Sequence, residues 1–330
     1  MVEATPLKDN FGRKIEYLRL SVTDRCDLRC FYCIPKGFKD FSTPKHWLNF
    51  DEIERIVAIF GQLGVSKLRL TGGEPLVRKN LPDLIQRLGQ LDGIEDLSLS
   101  TNATQLAKYA PQLKKHGVSR INVSLDTLNP TRFHDITGGH LAQVLEGLQV
   151  AKQVGFQPIK INMVVMKGIN DDEITAMVDY CAKNQFTLRF IETMPMGETG
   201  QDASQNYMSL QEVKAQLSKQ YNLIPTVMGR GAGPARYFQV QGTSLKIGFI
   251  TPLSQHFCET CNRIRLSVEG TLYLCLGQDD KIDLRDALRQ GASDTELRQL
   301  ILQGIALKPE KHEFNHKPEQ VVRIMSMSGG

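Results

Sequence analysis

Cys26, Cys30 and Cys33 are spaced C-x-x-x-C-x-x-C directly after the hydrophobic run Leu18 to Val22. Cysteine thiolates hold iron-sulfur clusters, and a [4Fe-4S] cube normally takes four of them. A compact loop that offers three leaves one iron open to bind a small molecule, so the spacing points to a cluster that does chemistry. The competing reading is a zinc loop. Zinc prefers C-x-x-C pairs closed by a second pair or by histidines, and no histidine lies within ten residues of Cys33.

A second group, Cys258, Cys261 and Cys275, reads C-x-x-C-x13-C, again without an obvious fourth cysteine. Zinc with His256 as fourth ligand is one reading. A second cluster, whose open iron would hold the substrate, is the other, and two similar three-cysteine groups in one chain favour it. The seventh cysteine, Cys181, lies in the apolar stretch Met177 to Ala182 and reads as a buried small hydrophobe. A disulfide framework is not expected, because a chain of 330 residues can bury its own core and no signal peptide is read before Phe11.

These cysteines need a scaffold. Apolar, β-branched runs at Leu18 to Val22, Lys67 to Thr71, Asp96 to Ser100, Arg120 to Leu125, Ile159 to Val165 and Thr187 to Ile191 predict six short strands. Helical patterns alternate with them: one opening at Phe50-Asp51 with Ile53, Ile56, Val57 and Phe60 on one face, then Leu81 to Leu88, Thr104 to Leu113, Leu141 to Val154 and Asp171 to Ala182. Such alternation implies parallel strands with right-handed crossovers. Six units are too few for a closed eight-stranded barrel, so an open, partial TIM-like (βα)6 barrel is expected over residues 1–198. Its ligand would sit at the carboxyl ends of the strands, where the first cysteine loop falls. Residues 199–330 change texture, with a helix and then hairpin-like strands at Tyr237 to Val240, Leu245 to Ile250, Ile264 to Val268 and Thr271 to Leu274. They are expected to form a smaller α+β domain that caps the barrel.

Cations recur where strands should be apolar: Arg19, Lys67, Arg69, Lys160 and Arg189, with Arg263 and Arg265 alternating after Cys261. A cation embedded in a covered sheet must mark a strand end or face an anion. Several converging at one mouth suggest a polyphosphate site, with arginine supplying bidentate forks and lysine a point charge. The net charge of +4 is too small to argue for nucleic acid, and no run of 18 apolar residues exists to span a membrane, so a soluble, cytoplasmic protein is expected.

With Phe31-Tyr32 inside the first triad and Gly72-Gly73-Glu74-Pro75 downstream, the chain resembles the radical S-adenosylmethionine (SAM) enzymes. After a strand, Gly72 and Gly73 would let backbone approach a ligand closely, and Pro75 would fix the exit of the turn. The resemblance narrows over the full length. From Gly12-Arg13 through Leu18-Arg19-Leu20-Ser21-Val22-Thr23-Asp24-Arg25-Cys26 to Gly330, and above all at Cys258-x-x-Cys261-Asn262-Arg263-Ile264-Arg265, the chain is similar to the GTP 3′,8-cyclases of molybdenum cofactor biosynthesis. That resemblance implies two [4Fe-4S] clusters, on Cys26, Cys30 and Cys33 and on Cys258, Cys261 and Cys275. It implies SAM contacts at Tyr32, Gly73, Ser124 and Met194. GTP contacts are implied at Arg19, Arg69, Ser100, Lys160, Arg263 and Arg265, with Lys67 and Arg189 in the same pocket. Gly329 and Gly330 match a tail that reaches into the active site and, with Arg263 and Arg265, would serve catalysis.

The implied reaction is abstraction of the ribose 3′ hydrogen of GTP by a 5′-deoxyadenosyl radical and attack of the C3′ radical on guanine C8; reduction and protonation then give (8S)-3′,8-cyclo-7,8-dihydroguanosine 5′-triphosphate. A homodimer, a flavodoxin or ferredoxin as electron donor, and cyclic pyranopterin monophosphate synthase as the downstream enzyme follow from the resemblance alone. Two positions depart from the family pattern: Ser100 stands where threonine is common, and Ala103 where glycine is, which implies backbone that does not need positive φ. The alternatives are another two-cluster radical SAM enzyme, such as one that modifies peptides, and a non-catalytic iron-sulfur electron carrier or zinc-stabilised binding protein.

Overall fold

The computed structural model describes residues 6–228, 233–315, 321 and 323–329. Its strands are β1 (Tyr17–Ser21), β2 (Lys67–Thr71), β3 (Asp96–Thr101), β4 (Arg120–Ser124), β5 (Ile159–Val164), β6 (Thr187–Ile191), β7 (Leu223–Thr226), β8 (Arg236–Val240), β9 (Lys246–Ile250), β10 (Arg263–Leu266), β11 (Thr271–Tyr273) and β12 (Lys281–Asp283). All twelve join one sheet in the order β12-β11-β10-β1-β2-β3-β4-β5-β6-β9-β8-β7. Strands β1 to β6 pair in parallel with their neighbours and helices cross between them, the open α/β arrangement read from the sequence.

Period-two alternation sets which side chains face the helices. Leu18, Leu20, Leu68, Leu70, Leu97, Leu99, Ile121, Val123, Ile161, Leu188 and Phe190 are buried in a core shared with those helices. Helix Phe50–Gln62 shows why the layer forms. Asn49 and Glu52 close a capping box at its start, and Ile53, Ile56, Val57, Ile59 and Phe60 bury one face. Each such side chain contributes about 1.5–3 kcal/mol. The intervening positions, Tyr17, Arg19, Arg69, Ser100, Asn122, Lys160 and Arg189, turn to the concave side and line a cavity there.

The C-terminal residues do more than cap this sheet. Strand β10 pairs in parallel with β1, and β9 in parallel with β6, so the sheet grows at both edges from the later part of the chain. Antiparallel hairpins then finish each edge, β7 and β8 beside β9, and β11 and β12 beside β10. Two strands that local periodicity did not reveal, β7 and β12, are four and three residues long and largely exposed, with no apolar stripe to announce them. A further correction concerns Ala103, which adopts φ 65°. The backbone there does need the left-handed region. Buried Ala103 tolerates it by holding the turn into helix Leu106–Lys115, with its amide on Thr101 Oγ1 at 2.9 Å and its carbonyl accepting from Leu106 at 3.1 Å.

Candidate active site

The first cysteine loop is docked on the end of β2. Val22 donates to the Thr71 carbonyl at 2.9 Å, Gly73 to that of Thr23 at 2.8 Å and Glu74 to that of Arg25 at 2.8 Å. Gly72 and Gly73 are required by this approach rather than by a ligand alone. A Cβ on Gly72 would fall 2.4 Å from the Thr23 carbonyl oxygen, and one on Gly73 would fall 2.3 Å from that of Arg25. Buried Glu74 locks the junction, accepting from Leu76 N at 3.1 Å, Thr101 Oγ1 at 2.7 Å and Asn102 N at 2.6 Å; burial pushes its carboxyl up to about 7 despite these bonds. Beyond the cysteines, Tyr32 donates to buried Asp126 at 2.5 Å, and Asp126 also accepts from Val164 N at 2.8 Å, which ties the loop to β4 and β5.

Burial pushes the Cys26 and Cys33 thiols up to about 12 and Cys30 well above its ordinary range, and the three would repel one another as thiolates. A triad of this kind ionises only against a concentrated positive charge, which cluster iron supplies. Among the described residues no three His, Cys, Asp or Glu side chains converge as a single ion requires. Three thiols on one short loop are the donor set that a cube ligated at three of its irons takes.

The second triad borders the cavity itself. Cys258, Cys261 and Cys275 all line it and are close enough to couple electrically. Two buried arginines fix its arms. Arg13, paired with Asp9 at 2.5 Å, donates to the Cys258 carbonyl at 2.9 Å and to those of Glu310 and Pro309 at 2.6 Å each. Arg323 donates to the carbonyls of Cys275 at 3.0 Å and Leu276 at 2.6 Å. Burial opposes ionisation of Cys261, but Arg263 and Lys308 outweigh it and bring the thiol down to about 7, so this position is predisposed to ligate. His256 packs edge-on against His312 at 6.3 Å, and Cys181 is fully buried as expected of a small hydrophobe. All seven cysteines are free thiols.

Beside the second triad, strand register stacks the cations in rungs. Arg265, Arg19, Arg69, Ser98 and Arg120 are consecutive partners across β10, β1, β2, β3 and β4. Ser100, Asn122 and Lys160 form the next rung, and Ser124, Asn162 and Arg189 the one after. Arg69, Arg120, Lys160 and Arg189 are at most 6% exposed. Burial first, and then their like charges, pull Arg19 well below its ordinary value, Arg69 to about 10, Arg265 to about 9 and Lys160 to about 7. The Nε atoms of Arg19 and Arg189 are buried without a hydrogen-bond partner. Buried, mutually repelling donors with unmet bonds are costly in the free protein, and a polyanion removes that cost.

The cavity is lined by Arg19, Arg69, Ser100, Ser124, Lys160, Arg189, Met194, Arg263 and Arg265 among the residues singled out by sequence. Cys26, Cys30, Cys33, Tyr32 and Gly73 are not among the residues that line it. Among the expected GTP contacts Lys67 is the exception and a correction: it begins β2 level with Tyr17, and its ammonium turns to Glu16 at 3.3 Å instead. Arg265 donates to the Gly329 carbonyl, and a Cβ on Gly329 would fall 2.3 Å from the Thr71 methyl, so the tail threads between β10 and β2. The Ser326 backbone reaches the Cys33 thiol. Gly330 lies outside the described residues. Sequence reading missed Tyr17, Arg120, Asn122, Asn162, Lys308 and His312, which also line the cavity. Arg120, Asn122 and Asn162 were legible as inward positions of strands already identified, whereas Tyr17 lies just before the run read as a strand.

Comparison with known proteins fits this geometry. The Radical SAM superfamily matches residues 20–181, and the Molybdenum Cofactor Synthesis C family matches residues 186–314. A GTP 3′,8-cyclase of Hydrogenovibrio crunogenus is 48% identical over 329 residues, covering 98% of this chain and 99% of the relative; that of Paracoccus denitrificans is 46% identical over 333 residues, covering 98% and 96%. The chain belongs to the GTP 3′,8-cyclase family. Radical SAM GTP 3′,8-cyclases use SAM and [4Fe-4S] clusters, and both cysteine triads have the donor chemistry to hold such clusters. Among solved structures, Streptococcus suis SuiB bound to precursor peptide SuiA aligns with a TM-score of 0.62 at 16% identity, covering 92% of this chain and 76% of that one. SuiB bound to S-adenosylmethionine aligns at 0.58 and 17%, covering 83% and 65%. These likenesses show the fold alone. No helix among the described residues is long and apolar enough to cross a membrane.

Proposed function

We propose that this chain cyclises GTP to (8S)-3′,8-cyclo-7,8-dihydroguanosine 5′-triphosphate in molybdenum cofactor biosynthesis, with the triphosphate on the cationic rungs, the base at the second triad and SAM at the first. The observation that carries the assignment is the rung Arg265, Arg19 and Arg69, cations brought side by side from three strands, with Lys160 and Arg189 on the rungs beyond. When bound, the clusters and SAM would supply the radical chemistry, hydrogen abstraction from the ribose included. The protein's own task is position. Holding GTP at both ends fixes the ribose between the triads, and a walled cavity keeps other hydrogen donors away. Cys26, Cys30 and Cys33 would hold the SAM cluster, with Tyr32, Gly73, Ser124 and Met194 around SAM; Cys258, Cys261 and Cys275 would hold the second. Arg19, Arg69, Ser100, Lys160, Arg189, Arg263 and Arg265 would bind GTP, with Gly329 and Gly330 completing the site. A cytoplasmic homodimer reduced by flavodoxin or ferredoxin, passing product to cyclic pyranopterin monophosphate synthase, extends the reading by family resemblance.

Lys160 offers a direct test. Burial and the neighbouring charges of Arg189, Arg120 and Arg69 hold its ammonium down to about 7 in the free protein. A bound triphosphate favours the charged form and raises that value. Above pH 7 binding must therefore take up a proton, and affinity falls by up to about tenfold per pH unit from this group. The phosphate's own second ionisation, near pH 6, is then complete. Calorimetry of GTP binding from pH 7 to 9, in buffers of different ionisation heat, is expected to show this uptake, and Lys160→Arg to abolish it. Affinity independent of pH in the unaltered protein would place the triphosphate elsewhere.

A further inference from the structure

Beside the second triad the cavity wall is completed by the segment that follows helix Asp294–Ala306. His312 in this segment lines the cavity, its ring against Phe314 at 4.8 Å between centroids. The Phe314 amide donates to His312 Nδ1 at 3.4 Å, which places the ring proton on Nε2. Nε2 is buried without a well-formed hydrogen bond; the Pro252 carbonyl beside the ring is a weak acceptor for it at best. Arg13 holds the carbonyls of Pro309 and Glu310 and that of Cys258 at once, so the ring is fixed relative to the triad. A buried N–H so poorly satisfied is rare in a finished structure, and here it borders a ligand cavity.

We propose that His312 reads the base of the nucleotide, its Nε2–H donating to the 6-oxo oxygen of guanine. This rests on the reading that GTP lies in the cavity with its base at the second triad. A 6-oxo group meets the donor, whereas the 6-amino group of adenine would set donor against donor and leave both unmet, so the residue selects 6-oxopurine nucleotides. N7, present in both bases, would give no such selection.

The test uses anaerobically reconstituted enzyme and the dissociation constants of GTP, inosine triphosphate and ATP for the unaltered protein, His312→Ala and His312→Gln, with iron content measured for each. The alanine variant is expected to bind GTP and inosine triphosphate about 10- to 100-fold more weakly, with ATP unchanged. The glutamine variant, whose amide can donate, recovers most of the loss. Equal loss for all three nucleotides, unchanged GTP affinity, or a fall in iron content in the alanine variant would each overturn the proposal, the last by making His312 a ligand or a structural prop. An unaltered protein that binds no GTP would overturn the occupancy of the cavity and this inference with it, a result distinct from GTP binding that ignores His312.

Discussion

Reconstituted Cys30→Ala is expected to hold about four irons instead of about eight and to release no 5′-deoxyadenosine from SAM under dithionite. Cys30 is the middle ligand of the first loop, and two remaining thiolates cannot hold a cube. Its backbone would survive the change, because the Cys30 carbonyl accepts from Cys33 N at 2.9 Å and Ile34 N at 3.1 Å whatever its side chain. Neighbouring bonds from Arg29 and Phe31 to the carbonyls of Thr137 and Ile136 hold the loop on helix Pro130–Thr137. The loss is therefore that of a ligand and not of the fold. Cys181→Ala provides the control, since that thiol is buried in helix Ile174–Asn184 away from either triad, and it should retain iron and cleavage. Persistent SAM cleavage by Cys30→Ala would sink the triad assignment.

Arg265→Ala is expected to weaken GTP binding by about 100-fold, while SAM cleavage uncoupled from GTP conversion continues. A charge-assisted bond from a buried guanidinium contributes about 1.5–3 kcal/mol, which is about 10- to 150-fold. Arg265 occupies the rung between Arg19 and Tyr273 and also holds the Gly329 carbonyl, so one substitution removes a cation from the triphosphate and the anchor of the tail. The variant should fold, because the pairing of β10 with β1 and β11 is made by backbone, and circular dichroism checks it. Equilibrium binding of GTP decides it, and unchanged affinity would remove Arg265 from the site.

Much of this was legible before any coordinates. Strands Lys67–Thr71 and Thr187–Ile191 and helix Leu81–Leu88 keep the bounds that periodicity gave them, because apolar alternation ends at clear breaks on both sides. The helix expected from Thr104 instead begins at Leu106, after the left-handed turn at Ala103. Helix Pro130–Thr137 went unread although Asn129-Pro130 carries a start signal, and so did helix Asp294–Ala306 with the Ser293–Glu296 capping box. The edge pairings of β9 and β10 could not be read locally, since they depend on contacts far apart in sequence. Among site residues, Arg69 and Lys67 looked equivalent by alternation, and only the ion pair of Lys67 with Glu16 separates them. Lys308 and His312 belong to no periodic element, so nothing but their packing places them beside the second triad.

The most direct test of the account is a single anaerobic reaction of the reconstituted protein with dithionite, SAM and GTP, read by mass spectrometry. The account predicts 5′-deoxyadenosine together with a cyclised guanosine triphosphate. Deoxyadenosine with GTP unconverted would contradict the substrate, and neither product from protein holding about eight irons would mean an electron carrier.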